Sequence, residues 1–266
     1  MSGKLSEVFL VKDLGLARYC LGIQITQDPG RKLVLLDQKA YIIEMLRRFN
    51  LVDAKPSPTP MEVGAKLVKR QRPIEDQDED GAAQEPYRVA VGCLIHLSQT
   101  TRPDLCHAVS VVSQFCSNPA KQHWVAVKRI MRYAKGTQEL QLRFNGEIRD
   151  GMVAFSDADW GGCSDCRKST TGYAFLFAGG LISWNSRKQP TVALSSTEAE
   201  YMAMSSACQE IRWFLNFASL QGVDVRRPFP LYCDNQGAIK LSANNVHHKR
   251  TKHIDLRHHF IRQMNL

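Results

Sequence analysis

The sequence predicts an α/β protein in which a mixed sheet with packed helices follows a smaller hairpin and helical unit. In the second half, three strand-like runs with glycine-bearing turns precede a long helical pattern, and one more strand follows it. In the first half, one hairpin pattern is followed by segments whose apolar residues recur at helical spacing. The 266 residues are 44% hydrophobic, which is typical of a globular protein and excludes disorder of the whole chain.

The first half is predicted to contain one hairpin and four helices. The stretch "ARYCLGIQITQDPGRKLVLLDQ" has two β-rich runs around Asp28-Pro29-Gly30, and "KAYIIEMLRRFNL" after it repeats apolar residues with helical period. Prolines, glycines and charges between Asp53 and about Pro86 indicate a linker, which contains the acidic run "EDQDED". The three later helical segments are "YRVAVGCLIHLSQTT", "PDLCHAVSVVSQFCS" and "KQHWVAVKRIMRYAKG".

The second half is predicted to form three strands, a helix, a strand and a helix. The strands lie in "GMVAFSDADW", "TTGYAFLFAGG" and "LISWNSRKQPTVAL", and the helix runs from Ser196 to about Gln221. A last strand lies in "FPLYCDNQGAIKL", and we expect it to pair parallel to an earlier strand because a crossover helix precedes it. Trp160, Trp184 and Trp213 are expected to be core residues.

Charge and composition restrict the partners and the compartment. The formal charge is +9 and the sequence pI about 9.2, which favours a polyanionic partner. The sequence has no apolar run of transmembrane length and no secretory signal pattern, so we expect no membrane partner and an intracellular location, cytoplasmic or nuclear. The eight cysteines are spread widely, so reduced thiols are expected. The close pair Cys163 and Cys166 could be half a zinc site or a redox motif, but it lies in a loop pattern with no second pair, and structural or incidental thiols are expected rather than a metal site.

Two acids near the start of the long helix call for different explanations. Ser195 or Ser196 has the character of an N-cap, and Glu198 in the first turn can close a capping box from Ser195. This accounts for Glu198 but not for Glu200, which lies at the edge of the apolar stripe of the same helix. An acid at the border of a buried face needs a partner, and a solvated helix acid is the other interpretation of Glu200.

The predicted layout brings three acids together. Asp157 stands in the first strand of the second half, Asp234 ends the last strand, and Glu200 lies in the first turns of the intervening helix. Carboxylates that converge in this way repel one another unless cations lie between them, and hard oxygen ligands suit Mg²⁺ or Mn²⁺. Two such ions about 4 Å apart are the arrangement that hydrolyses a phosphodiester.

At these residues the sequence resembles a known family. The stretches "FSDADWGG", "ALSSTEAEYMA", "LYCDNQGAI" and "HHKRTKHIDLRHHFI" resemble the ribonuclease H domain of Ty1/copia-type retrotransposon Pol polyproteins. Earlier stretches, "FLVKDLGLARYCLGIQI", "VGCLIHLSQTTRPDLCHAVSVVSQF" and "HWVAVKRIMRYAKGT", look like the last part of the reverse transcriptase of the same polyprotein. The resemblance covers nearly the whole chain, in the order that the family has.

The resemblance implies a ribonuclease H-like mixed sheet, a domain division and a set of site residues. Residues 1–52 correspond to the end of the reverse transcriptase, 53–86 to a linker, 87–147 to a helical thumb or connection region and 148–266 to the ribonuclease H-like domain. The metal-binding and catalytic acids of the family fall on Asp157, Glu200 and Asp234, with Asp159 the near alternative to Asp157. Glu198 keeps the capping role.

Two departures from the family pattern shape the expectations. The Tyr-x-Asp-Asp turn that the family has upstream of "KDLG" does not occur here, so polymerase activity is not expected. The segment of the family that follows "KHIDLRHHFIR" and carries a fourth carboxylate is also missing, which predicts a domain truncated at its C-terminus. Asp255 is the later acid that remains for the metal, and pairing with Lys252 or Arg257 is its other interpretation.

The implied activity is cleavage of the RNA strand of an RNA/DNA hybrid with two Mg²⁺ or Mn²⁺ ions and no small-molecule cofactor. Four basic residues are candidates for phosphate contacts, with a solvated basic face as the other interpretation. These residues are Lys249, Arg250, Lys252 and Arg257. The upstream reverse transcriptase portion is a further expected partner. The alternative function is that of an inactive fragment that binds nucleic acid or docks on the polymerase.

Overall fold

The computed structural model describes residues 10, 12, 15–69, 86–147, 151–223, 225, 228–243 and 260–261. Within them the chain forms two four-stranded sheets and six α-helices. The predicted fold class is confirmed: an α/β protein with a ribonuclease H-like mixed sheet and packed helices, preceded by a hairpin and a helical unit. None of the described helices is long and apolar enough to cross a lipid bilayer.

The first sheet is built on the predicted hairpin. Its strands are β1 (Tyr19–Cys20), β2 (Ile23–Asp28), β3 (Leu33–Asp37) and β4 (Leu142–Phe144), in that order and all antiparallel. The turn between β2 and β3 is the predicted Asp-Pro-Gly turn, and the Asp28 side chain accepts a hydrogen bond from the backbone N–H of Arg31 at 3.1 Å. Strand β4 was not predicted, because three residues are too few to show an alternating pattern.

Four helices pack beside this sheet around one apolar core. They are α1 (Lys39–Arg48), α2 (Tyr87–Thr100), α3 (Cys106–Ser113), which follows a 3-10 turn (Pro103–Leu105), and α4 (Lys121–Gly136). Their apolar faces meet in residues that include Ile42, Leu94, Leu97, Val112, Val127, Ile130 and Met131. Residues 53–69 contain no helix or strand and run along α4, where Ser57 donates its backbone N–H to the carbonyl of Arg132 at 3.2 Å.

The second sheet has the order β7-β6-β5-β8. Strands β5 (Val153–Asp159), β6 (Thr170–Phe177) and β7 (Gly180–Lys188) are antiparallel neighbours, and β8 (Leu231–Tyr232) pairs parallel to β5, as predicted. The long helix α5 (Ser196–Leu220) packs on β5 and β6, and α6 (Gln236–Ala243) packs on α5. The crossover through α5 therefore brings the end of β8 beside β5.

The two sheets meet at β7. The indole N–H of Trp184 on β7 donates to the carbonyl of Ser98 on α2 at 2.6 Å. At Gly180, a Cβ atom would overlap the carbonyl oxygen of Arg143, so only glycine fits where β7 passes β4. This contact joins the helical unit to the second sheet.

The prediction that Trp160 and Trp213 belong to the core is wrong. Their exposed fractions are 59% and 58%. Trp213 lies on an outer face of α5, stacked on Phe217 one turn further along, and Trp160 lies beyond the end of β5. Trp160 continues the strand alternation of β5, whereas Trp213 comes two residues after the buried Ile211 and so lies on the other side of α5. Neither side chain lies under another of the described elements. Trp184 is partly buried at the contact between the two sheets.

Candidate functional site

Two of the predicted acids lie at the same level of neighbouring parallel strands. Phe155 of β5 pairs with Tyr232 of β8, so two residues further on the same register places Asp157 beside Asp234. Both carboxylates are exposed and line one open cavity of about 570 Å³. Alternate residues of a strand face opposite sides of the sheet. The small residues Ala154 and Ser156 of β5 therefore face the buried side of the sheet, which α5 covers.

The two acids in the first turns of α5, Glu198 and Glu200, have different roles. Ser195 is the N-cap and its side chain accepts a hydrogen bond from the backbone N–H of Glu198 at 3.2 Å. The Glu198 carboxylate in return accepts from the backbone N–H of Leu194 at 2.9 Å. Half of the predicted capping box is therefore present, because the Glu198 carboxylate binds the N–H of Leu194, the residue before the N-cap, and not that of Ser195. Glu200, two residues on, points toward the sheet.

Glu200 is held between β5 and the end of β8. Its side chain is 5% exposed. One carboxylate oxygen accepts from the backbone N–H of Ala158 at 3.2 Å, and the other accepts from the thiol of Cys233, with sulfur and oxygen 3.8 Å apart. Ligand atoms of Glu200, Cys233 and Asp234 all lie within 4.8 Å of one another. Asp157 lies outside this group but close enough to act on the charge of Glu200.

The electrostatics of this cluster oppose an ionised Glu200. Burial is the main cause, and the charges of Asp157 and Asp234 add to it, although the Ala158 N–H opposes them; together they raise the pKa of Glu200 to about 7. Burial is also the main cause that raises the pKa of the Cys233 thiol, and the charges of Glu200 and Asp234 add to it. Within the described residues, no lysine or arginine pairs with any of the three acids.

Cys233 is the residue that the sequence-based prediction missed. It was included among the incidental cysteines, yet its sulfur contacts Glu200 directly. The signal for it is its position immediately before Asp234 at the end of a short strand, where it turns toward the helix while Asp234 faces the cavity. Because the thiol stays protonated, it serves as a hydrogen-bond donor.

Asp159, the alternative to Asp157, has a local structural contact. Its carboxylate accepts a hydrogen bond from the backbone N–H of Thr170, across the turn that joins β5 to β6. It also packs closely over Gly162, where a Cβ atom would overlap the carboxylate. Asp157 faces the cavity and makes no comparable hydrogen bond to a neighbouring turn within the described ranges.

The residues after Asp234 fix its position against α5. The Asn235 side chain accepts from the backbone N–H of Ala238 at 2.9 Å and so caps α6. At Gly237 a Cβ atom would lie 2.8 Å from the hydroxyl oxygen of Thr197 on α5. The start of α6 therefore lies directly against the start of α5, next to Glu200.

The other predicted site residues lie outside the described part of the chain. These are the metal candidate Asp255 and the four basic candidates, Lys249, Arg250, Lys252 and Arg257. The described acid site consists of Asp157, Glu200 and Asp234, and these residues are called the acid site below. Its three carboxylates supply oxygen donors and have no basic partner in the part of the chain that the structure describes, and this donor set is the one that Mg²⁺ or Mn²⁺ prefers.

Comparison with known proteins finds similarity along the whole chain. The chain is 45% identical over 265 residues, 99% of its length, to the retrovirus-related Pol polyprotein from transposon TNT 1-94 of Nicotiana tabacum, of which it spans 20%. It is 40% identical over 259 residues to the corresponding polyprotein from transposon RE1 of Arabidopsis thaliana, of which it spans 17%.

A shorter relative is covered over most of its length. The chain is 36% identical over 214 residues to the uncharacterized mitochondrial protein AtMg00810 of Arabidopsis thaliana, covering 79% of this chain and 83% of that protein. No protein-family model and no solved structure matches the chain.

Proposed function

This chain belongs to the family of copia-type retrotransposon Pol polyproteins. We therefore propose that the domain built on its second sheet is a ribonuclease H that hydrolyses the RNA strand of RNA/DNA hybrids. The products are a 3′-hydroxyl and a 5′-phosphate. The chain matches about a fifth of the TNT 1-94 polyprotein, so the activity proposed here concerns this portion alone. Polymerase activity is not part of the proposal.

One observation carries the proposal: the carboxylates of Glu200 and Asp234 lie together at the end of a parallel strand pair, with Asp157 at the same level, and none has a basic partner among the described residues. Asp157 and Asp234 lie at one level of β5 and β8, and Glu200 approaches from α5. Burial of an acid beside two other acids is unfavourable in a protein that needs only stability. A divalent cation would offset this repulsion.

The residues present fit Mg²⁺ or Mn²⁺, with Asp157, Glu200 and Asp234 as the ligands. When bound, such ions lower the pKa of water and stabilise negative charge on a phosphoryl oxygen. The protonated Cys233 thiol and the Ala158 N–H orient the Glu200 carboxylate toward the end of β8. We include Asp255 as a candidate fourth ligand.

The cavity beside the acid site is open to a large substrate. Asp157 and Asp234 are exposed at its edge, so a phosphate backbone can approach both carboxylates from solvent. Recognition of the RNA strand is expected to use its 2′-hydroxyls. Lys249, Arg250, Lys252 and Arg257 are proposed to contact phosphates, in agreement with the net charge of +9.

The test is cleavage of an end-labelled RNA/DNA hybrid by the whole chain across a series of Mg²⁺ and Mn²⁺ concentrations. The native sequence should cleave the RNA strand only when a divalent cation is present. Asp157→Asn and Asp234→Asn should each lower the rate about a hundredfold or more, because each removes a charged ligand. Glu44→Gln, which neutralises an exposed acid on α1, is the matched control and should leave the rate unchanged.

The alternative is a chain that binds nucleic acid without cutting it, which the basic composition favours. It predicts salt-sensitive binding of the hybrid with no cleavage at any cation concentration. Folded protein that binds in this way would overturn the proposed activity. Cleavage that survives in Asp157→Asn and Asp234→Asn would place the active residues elsewhere.

A further inference from the structure

The turn between β5 and β6, residues 160–169, holds two cysteine sulfurs side by side. The Sγ atoms of Cys163 and Cys166 lie 3.0 Å apart, and both residues are partly buried. The backbone of the turn closes on itself, since Arg167 donates its N–H to the carbonyl of Cys163 at 2.8 Å and Cys163 donates to the carbonyl of Lys168 at 3.2 Å. These backbone hydrogen bonds hold the two sulfur atoms next to each other.

A lysine ammonium lies against both sulfurs. Lys188, the last residue of β7, places its Nζ atom 2.9 Å from Sγ of Cys163 and 3.5 Å from Sγ of Cys166. Burial alone raises the pKa of Cys163, but hydrogen bonds from Lys188 and Cys166 outweigh it and bring the pKa to about 7. By contrast, burial raises the pKa of Cys208 in the core to about 11. A thiolate is the reactive form of cysteine, so the turn favours reactivity at Cys163.

We propose that Cys163 and Cys166 form a redox-active dithiol that a hydroperoxide oxidises to an intramolecular disulfide. The Cys163 thiolate attacks one peroxide oxygen, the O–O bond breaks, and the leaving hydroxide takes up a proton to become water. The Cys166 sulfur then attacks the sulfenic sulfur of Cys163, its proton leaves, and the S–O bond breaks to release a second water. Two thiols lose two electrons, and hydrogen peroxide is reduced to two water molecules.

The surroundings favour a dithiol over a metal site. A cation between the sulfurs would have to displace the Lys188 ammonium, which carries the same sign of charge. The carboxylate between the two cysteines, Asp165, instead accepts a hydrogen bond from the backbone N–H of Lys69 at 2.9 Å. Two thiolates alone leave a tetrahedral zinc ion half-coordinated.

The test follows one tryptic peptide after the native chain has been treated with hydrogen peroxide. Residues 150–167 lie between Arg149 and Arg167, so trypsin releases both cysteines in a single peptide. After oxidation this peptide should lose two hydrogen atoms and resist alkylation until a reductant is added. In Cys166→Ser the sulfenic acid cannot be resolved, so a dimedone adduct should accumulate on Cys163, whereas Cys163→Ser should give no adduct on Cys166.

Lys188 provides the matched pair of variants. Lys188→Met should slow the alkylation of Cys163 at pH 7 by about fivefold, because the variant loses the thiolate that Lys188 stabilises. The loss stays this small because a thiolate of higher pKa is the stronger nucleophile. Lys188→Arg should keep most of the native rate. Peptides in which each cysteine is oxidised or alkylated separately, with no disulfide in the native chain, would overturn the proposal. Protection of both thiols by Zn²⁺ without disulfide formation in peroxide would also overturn it, in favour of a metal site.

Discussion

Two buried charges in this molecule have opposite surroundings. Arg102, before the 3-10 turn of the helical unit, is 1% exposed, and its guanidinium donates to both carboxylate oxygens of Asp104 at 2.9 and 2.7 Å and to the carbonyl of Thr137 at 3.2 Å. Glu200 of the acid site is 5% exposed and has one backbone N–H and one weak thiol donor. Its charged neighbours have its own sign.

The difference separates a charge that supports the fold from a charge that works against it. The hydrogen bonds of Arg102 replace those it would make with water, so removing this side chain leaves its partners unsatisfied. Glu200 lacks a counter-charge among the described residues, so removing its charge relieves repulsion. Neutralising the two residues should therefore change stability in opposite directions.

The largest expected effect is on Arg102. Arg102→Met should lower the free energy of unfolding by about 3 to 5 kcal/mol, because Asp104 and Thr137 lose a fully buried donor. Urea denaturation at pH 7 measures this change. Arg31, whose side chain is 82% exposed and pairs with Asp28 at 3.6 Å, is the matched control, and Arg31→Met should cost less than about 1 kcal/mol. Equal costs for the two variants would contradict the role of burial.

The opposite sign is expected for Glu200→Gln. The pKa of Glu200 is raised from its ordinary value of 4.5 to about 7, so the stability linked to its proton is present below about pH 4.5 and is lost as the pH rises through 7. The glutamine variant keeps an acceptor for Ala158 and has no charge to bury. In chelator, it should therefore be more stable than the native chain by about 1 to 3 kcal/mol at pH 8.

A pH series separates the effect of the Glu200 charge from the effect of altered contacts. Urea denaturation of both chains at pH 4, 6 and 8 should show a difference that vanishes at the lowest pH and grows toward the highest. A difference that stays constant over the series would assign the effect to altered contacts rather than to charge. A destabilised variant at pH 8 would remove the contrast with Arg102 altogether.

The sequence predicted the parts of the site that depend on local spacing. Strand alternation and the crossover rule placed Asp157 near Asp234, and the capping pattern separated Glu198 from Glu200. The contact of Cys233 with Glu200 and the exposure of Trp160 were missed, because each depends on which elements pack there. Spacing shows which face a residue occupies but does not show what covers that face.

A smaller effect tests how tightly the acid site is packed. Gly237→Ala should lower the free energy of unfolding by about 1 to 2 kcal/mol, because the new Cβ atom would lie 2.8 Å from the Thr197 hydroxyl and one of the two helices must shift. The double variant Thr197→Ala, Gly237→Ala should recover part of this loss in the same urea titration. Additive losses would mean that the two residues do not meet.

The smallest effect concerns a glycine of the helical unit with the opposite surroundings. Gly92 lies on the exposed face of α2, and nothing lies within 4 Å of the position of a Cβ atom there. Gly92→Ala should therefore raise the free energy of unfolding by about 0.5 to 1 kcal/mol, since alanine restricts the unfolded chain and favours the helix. If alanine raises the free energy of unfolding at Gly92 and lowers it at Gly237, the loss at Gly237 comes from the close approach of α5 and α6 beside the acid site and not from replacing a helical glycine as such. A loss of stability at Gly92 would instead mean that this face of α2 is covered in the folded protein.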